Sequence, residues 1–146
     1  KSLTAIAIAA HEIGHAIQDQ QGDKRLATRT KMAPVVDKVA RWSAVILSLS
    51  PVIGIITRHP MPFSFLLVLG LSGFIARMIV HAVTLPIEFD ASFSKALPLL
   101  REGNYVSPTN EKAVSRILRA AALTYVSAAL ADILNLGRWA VILLRR

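Results

Sequence analysis

Apolar residues fill this chain in long blocks, parted by short polar or basic stretches. The first block opens at Leu3 and interleaves Ala with Ile before a polar end, Gln18 to Gln21. It predicts a helix over about 2–21, started by Ser2 or Thr4 and closed by Gly22 in the position of a C′ glycine. Asp23 to Lys31 is polar and basic and reads as a surface connection at a membrane interface. The second block runs over about 35–57, with Trp42 as an interfacial anchor and a kink implied by Pro51 and Gly54. Arg58 to Pro62 reads as a tight turn, followed by a third block over about 63–85. There, Gly70 and Gly73 would let a neighbouring helix approach closely. Pro86 should break or bend the chain before an amphipathic helix from Ile87 to Glu102, closed by Gly103. After a loop, Ser107 or Thr109 caps the last helix, about 111–144, which reads as one tilted span or two pieces. About 20 apolar residues cross a hydrocarbon core. The pattern therefore predicts an all-α integral membrane helical bundle.

Composition strengthens that reading. The chain has 146 residues, 53% of them hydrophobic and 18% charged, with a mean hydropathy of +0.50. That is too apolar for an ordinary soluble domain. The formal net charge is +8, but Lys and Arg flank the apolar runs instead of forming one patch. Such flanking suits anionic headgroups and a positive-inside distribution. A nucleic-acid partner is the weakest option, because no basic patch interleaved with aromatics appears. There is no Cys, so disulfides and thiolate metal sites are excluded and any metal must use His and carboxylates. Residues 1–146 are expected to form a single membrane-embedded core. Because Lys1-Ser2-Leu3 lacks Met and enters the first helix directly, this core reads as a fragment without its N-terminal part.

The candidate chemistry lies in the first helix, at His11-Glu12-Ile13-Gly14-His15. Residues four apart on a helix stack on one face, so His11 and His15 can offer two imidazole nitrogens to one Zn²⁺. Glu12 stands beside them, where it can take a proton from water activated by the metal. Short HExxH matches also arise by chance. On an apolar Ala-rich helix, however, burying two His and a Glu is costly without a partner for them.

A catalytic zinc usually keeps three protein ligands and one open position. The candidates for the third are His59, His81, Glu88, Asp90, Glu102, Glu111 and Asp132. Two spans separate the motif helix from Glu88, so the chain returns to its starting side, whereas His59 lies in the opposite turn. Glu88 and Asp90 are the only tight acidic pair on the correct side. Glu88 is the expected ligand, with Asp90 hydrogen-bonding a ligating His, and the opposite assignment stays open. The plain alternative is that both are acids favoured at a solvated helix N-terminus. Asp132, in an apolar segment, should face protein and pair with a residue such as Arg138 or Arg77. Tyr105 and Tyr125 could polarise a substrate carbonyl, with nothing in the pattern to choose between them. The basic clusters Lys24 to Arg41 and Lys95 to Arg119 put the motif side in the cytoplasm.

Three blocks carry a family resemblance: Ala5 to Gln18 (AIAIAAHEIGHAIQ), Val83 to Ser92 (VTLPIEFDAS) and Ala120 to Leu130 (AAALTYVSAAL). In this order, and over nearly the whole chain, they resemble the YugP-type family of membrane zinc metallopeptidases. That family is more distantly similar to HtpX-type membrane proteases. The resemblance implies a bacterial, zinc-dependent endopeptidase of the cell membrane. It implies His11, His15 and Glu88 as ligands and Glu12 as the catalytic base. In HtpX-type proteins an aspartate follows the ligand glutamate by four residues; here Asp90 follows Glu88 by two. The implied partners are a polypeptide substrate and the lipid bilayer, with an oligomer or an accessory membrane protein left open. The rivals are a scaffold or partner subunit whose zinc is structural or absent, and a small transporter with polar residues along a path through the spans.

Overall fold

A computed structural model describes residues 2–144, and their regular structure is entirely helical. Helix α1 spans Leu3–Gln20, α2 spans Lys24–Thr57 and α3 spans Pro60–Phe89. A π-helical stretch, Asp90–Ala96, follows α3 without a break and leads into α4, Leu97–Glu102. Helix α5 is one continuous element, Pro108–Leu144. The chain divides into two compact units. One takes in the chain up to Thr30 together with Ala82–Ser127, and the other takes Lys31–His81 and the chain from Ala128 onward.

In the first unit, α1 packs on the π-helical stretch and on α4. Its buried positions are Ala7, Ala10, Gly14 and Gln18, the three-four spacing of one helix face. Ala7 and Ala10 meet Ala96, Leu97 and Leu100, and Val114 and Leu118 from α5 complete the core. A fully buried Val or Leu such as Val114 or Leu118 contributes about 1.5–3 kcal/mol. Gly14 is required by packing, because a Cβ there would collide with the Ala91 carbonyl. Helix α1 ends in a Schellman motif: Gly22, at φ 67°, donates to the Asp19 carbonyl and Asp23 to that of Gln18.

Two local expectations are corrected here. Lys24 to Lys31 forms the first turns of α2 and is not a connection, with Asp23 capping the helix by accepting the Arg25 amide at 2.8 Å. Its hydrogen bond from the Arg25 guanidinium holds the Asp23 carboxyl down to about 2. Nor does Pro86 end α3, which continues to Phe89; the irregularity falls instead in the next seven residues, as π-helix.

In the second unit, α2 and α3 approach closely where Gly70 faces Leu47 and Gly73 faces Ser43. Pro51 has no N–H for the Leu47 carbonyl four residues earlier, and the Ser50 hydroxyl donates to that oxygen instead, at 2.8 Å. This is how a membrane helix tolerates proline. The turn before α3 is only Arg58 and His59, with Arg58 at φ 50° and the His59 ring accepting the Met61 amide. Asp132 is buried and paired with the Arg77 guanidinium, with His81 3.7 Å away. Helices over Lys24–Thr57, Met61–Glu102 and Pro108–Val141 are each long and apolar enough to cross a membrane. Large apolar side chains such as Ile55, Ile56, Val68 and Leu134 are exposed along them. In water such surfaces would be unfavourable, and in a bilayer they are the expected exterior.

Candidate metal centre

The site lies within the first unit, at the edge of the packed face of α1. Successive helical residues turn by about 100°, so His11 and His15 sit beside the buried row of Gln18 and Gly14. Glu12 turns further out and is exposed. Across from them, Glu88 is buried in the last turn of α3 and Ser92 in the π-helical stretch.

The histidines share one carboxylate oxygen. Glu88 Oε2 is 3.1 Å from His11 Nε2 and 3.5 Å from His15 Nε2. The rings stand nearly edge-on, 4.7 Å apart at 79°. The outer nitrogens are engaged elsewhere: His11 Nδ1 is 3.0 Å from Ser92 Oγ, and His15 Nδ1 is 3.0 Å from Gln18 Oε1.

Gln18 determines which nitrogen of His15 carries the proton. Its Nε2 lies 3.0 Å from the Ile87 carbonyl and 2.7 Å from Asp90 Oδ2, two groups that only accept. The amide nitrogen must therefore face them, and its oxygen must face His15. An oxygen there requires Nδ1–H on His15, which leaves a lone pair on Nε2 directed at Glu88. The His15 Nε2 lone pair and a carboxylate oxygen then point at one another, which is favourable only around a cation or a proton. The attraction for a proton shows in His15, whose pKa is raised above the ordinary imidazole value, chiefly by its hydrogen bond to Glu88. The attraction for a cation suits zinc. Bonds of about 2.0–2.1 Å in a tetrahedron place ligand atoms about 3.4 Å apart. The ligand atoms of His11, His15 and Glu88 all lie within 4.8 Å of one another.

Glu12 makes no side-chain hydrogen bond or ion pair among the described residues, so its carboxylate is available for proton transfer. Asp90 does not touch a histidine directly. It accepts from Gln18, which in turn accepts from His15, and Lys95 lies 3.5 Å from its Oδ2. The other candidates for third ligand have different partners. Glu111 pairs with Arg101, Asp132 with Arg77 and His59 with Met61, while Glu102 is exposed at the end of α4. Gln18, Ser92 and Arg29 were not singled out from the sequence. Gln18 was legible as the residue seven after His11 on the same face, and Ser92 as the residue four after Glu88. Arg29 carries no such signal, since its basic surroundings have the composition of an interfacial connection. A groove of about 420 Å³ over Ile6, Ala9, Ala10 and Ile13 lies on the side of α1 turned away from the histidines and forms no part of this site.

A protein-family model described as "Putative neutral zinc metallopeptidase" matches residues 1–144. The chain belongs to this family. Its relatives include the "Putative membrane protease YugP" of Bacillus subtilis (strain 168), 34% identical over 144 residues, which are 99% of this chain. The chain spans 60% of the length of that relative. No solved structure matches it. The family description includes zinc, and the donor set of two neutral imidazoles and one carboxylate is one that zinc favours.

Proposed function

We propose that this chain is the core of a membrane-embedded zinc endopeptidase that hydrolyses peptide bonds of membrane or membrane-proximal proteins. The observation that carries the reading is the convergence of His11 Nε2, His15 Nε2 and Glu88 Oε2 beside the unengaged carboxylate of Glu12. His11, His15 and Glu88 would hold the ion. When bound, zinc supplies Lewis acidity that brings the pKa of a water toward neutrality and polarises the scissile carbonyl. Glu12 takes the proton from the attacking water onto its carboxylate and later delivers it to the leaving amine nitrogen. Gln18 keeps the His15 proton on Nδ1, so that Nε2 stays a donor throughout. Asp90 fixes Gln18 and thereby acts on His15 at one remove.

The membrane reading rests on the three apolar helices and on the relative's printed description. In sequence, two candidate spans separate the motif helix from the Glu88 segment, and two crossings return a chain to the same side. The basic residues from Lys24 to Arg41 and from Lys95 to Arg119 favour the cytoplasm for that side.

The test compares purified wild type with Glu12→Gln for casein cleavage or self-cleavage and for bound zinc. Loss of a general base costs about 10²–10⁴-fold in rate. The expected outcome is a loss of that order with zinc retained. Equal cleavage by the two proteins would end the peptidase reading in favour of a non-catalytic scaffold.

A further inference from the structure

The two oxygens of Glu88 face different surroundings. Oε2 faces both histidines, whereas Oε1 lies 3.7 Å from the Arg29 guanidinium, near the start of α2. The same guanidinium donates to the Tyr125 hydroxyl on α5 at 3.3 Å. The Tyr125 hydroxyl is also close enough to the Glu88 carboxylate to interact with it electrostatically. The donor and acceptor roles are consistent around this ring. Tyr125 accepts from Arg29 through an oxygen lone pair, so its one hydrogen can be turned toward the carboxylate.

We propose that Arg29 and Tyr125 are positioning residues for Glu88. They reserve Oε1, so that the carboxylate presents Oε2 alone to the space between His11 and His15. The inference rests on the metal reading of the site and deepens it. An unrestrained carboxylate can swing and offer both oxygens to one cation, as carboxylates do in other metal sites. Here a second oxygen would take the position that a hydrolytic zinc leaves open for water. Glu88 is nearly fully buried, so its second oxygen also needs a partner, and Arg29 supplies a counter-charge 3.7 Å away. Arginine suits the task better than lysine because its planar fork serves the carboxylate and the phenol together. This ring joins the first turns of α2 to α5 through the proposed third ligand.

Cobalt(II) in place of zinc tests this without recourse to activity, since its visible absorption responds to the number of donor atoms around the ion. Wild type, Arg29→Gln, Arg29→Lys, Tyr125→Phe and His15→Ala would be compared for cobalt spectra and for zinc affinity. Arg29→Gln should alter the cobalt bands and weaken zinc by about 10–100-fold, the usual cost of losing a partner behind a ligand. Arg29→Lys should recover part of that affinity, and Tyr125→Phe should shift the bands in the same sense as Arg29→Gln. If Arg29→Gln loses helical circular dichroism, Tyr125→Phe decides alone, because it removes only a hydroxyl. Unchanged bands and affinity in Arg29→Gln and Tyr125→Phe would overturn the positioning role. In that outcome, metal binding by wild type and its loss in His15→Ala would leave the metal reading standing. A wild type that takes up neither ion would overturn both.

Discussion

Gln18 shows how a single buried amide shapes the site. Both of its amide hydrogens and one oxygen lone pair are directed: the nitrogen to Ile87 and Asp90, the oxygen to His15. Gln18→Ala should weaken zinc binding by about 10–100-fold, measurable by competition with a chelator. The pH dependence of that affinity follows from His15. Protons and metal compete for the same Nε2, and the hydrogen bond to Glu88 raises the proton affinity of His15 in the metal-free chain. Zinc affinity should therefore fall as the pH drops through that raised value, one proton being released for each ion bound at this ring. The sign for stability is opposite. In the metal-free chain the raised pKa adds stability below the ordinary histidine value, and that contribution is lost as the pH rises through the raised one. The HExxH spacing alone singles out His11, His15 and Glu12 as candidates, and the acidic pair narrows the candidates for a third ligand to Glu88 or Asp90. What the pattern does not contain is which of the two reaches the histidines, because that depends on side-chain direction across two packed helices. The structure turns Glu88 inward and gives Asp90 to Gln18.

At the scale of elements, α1 can present its histidines only because it lies close against the π-helical stretch. Gly14 sits at the point of closest approach, against the Ala91 backbone. Gly14→Ala should push the two apart and destabilise the first unit by about 1–3 kcal/mol. Urea unfolding monitored by circular dichroism would measure it, with weaker zinc binding accompanying the loss. The extent of α1, its C′ glycine at Gly22 and the close approach at Gly70 and Gly73 could all be read from residue types. The start of α2 could not be read as easily. Its Lys and Arg residues resemble an interfacial connection, and the decisive signal was the single capping Asp23. The π-helical stretch was invisible, because its seven residues differ from an α-helix by one inserted position and not by composition. Pro86 misleads for a related reason: within a helix proline removes one hydrogen bond, and tertiary packing can tolerate that loss.

The whole molecule is governed by its apolar length. Three helices suffice for membrane spans, and their exposed Ile, Leu and Val suit lipid. Within the second unit, the buried Asp132 answers Arg77, so a charge in an apolar segment has its counter-charge. The proposed orientation can be checked cleanly because the chain has no Cys. Single cysteines at Gln21 and at His59 should label from opposite sides of the membrane, with Gln21→Cys reached from the cytoplasm. Labelling of both from one side would contradict two crossings.

The proposed peptidase requires one metal ion held by three side chains. Zinc bound per chain, measured by mass spectrometry on the purified protein, tests it most directly. Wild type should carry about one zinc, and His15→Ala and Glu88→Ala should each carry almost none, since a three-ligand site loses its hold when one ligand is removed. A wild type without zinc, or a Glu88→Ala protein that keeps it in full, would contradict the site described here.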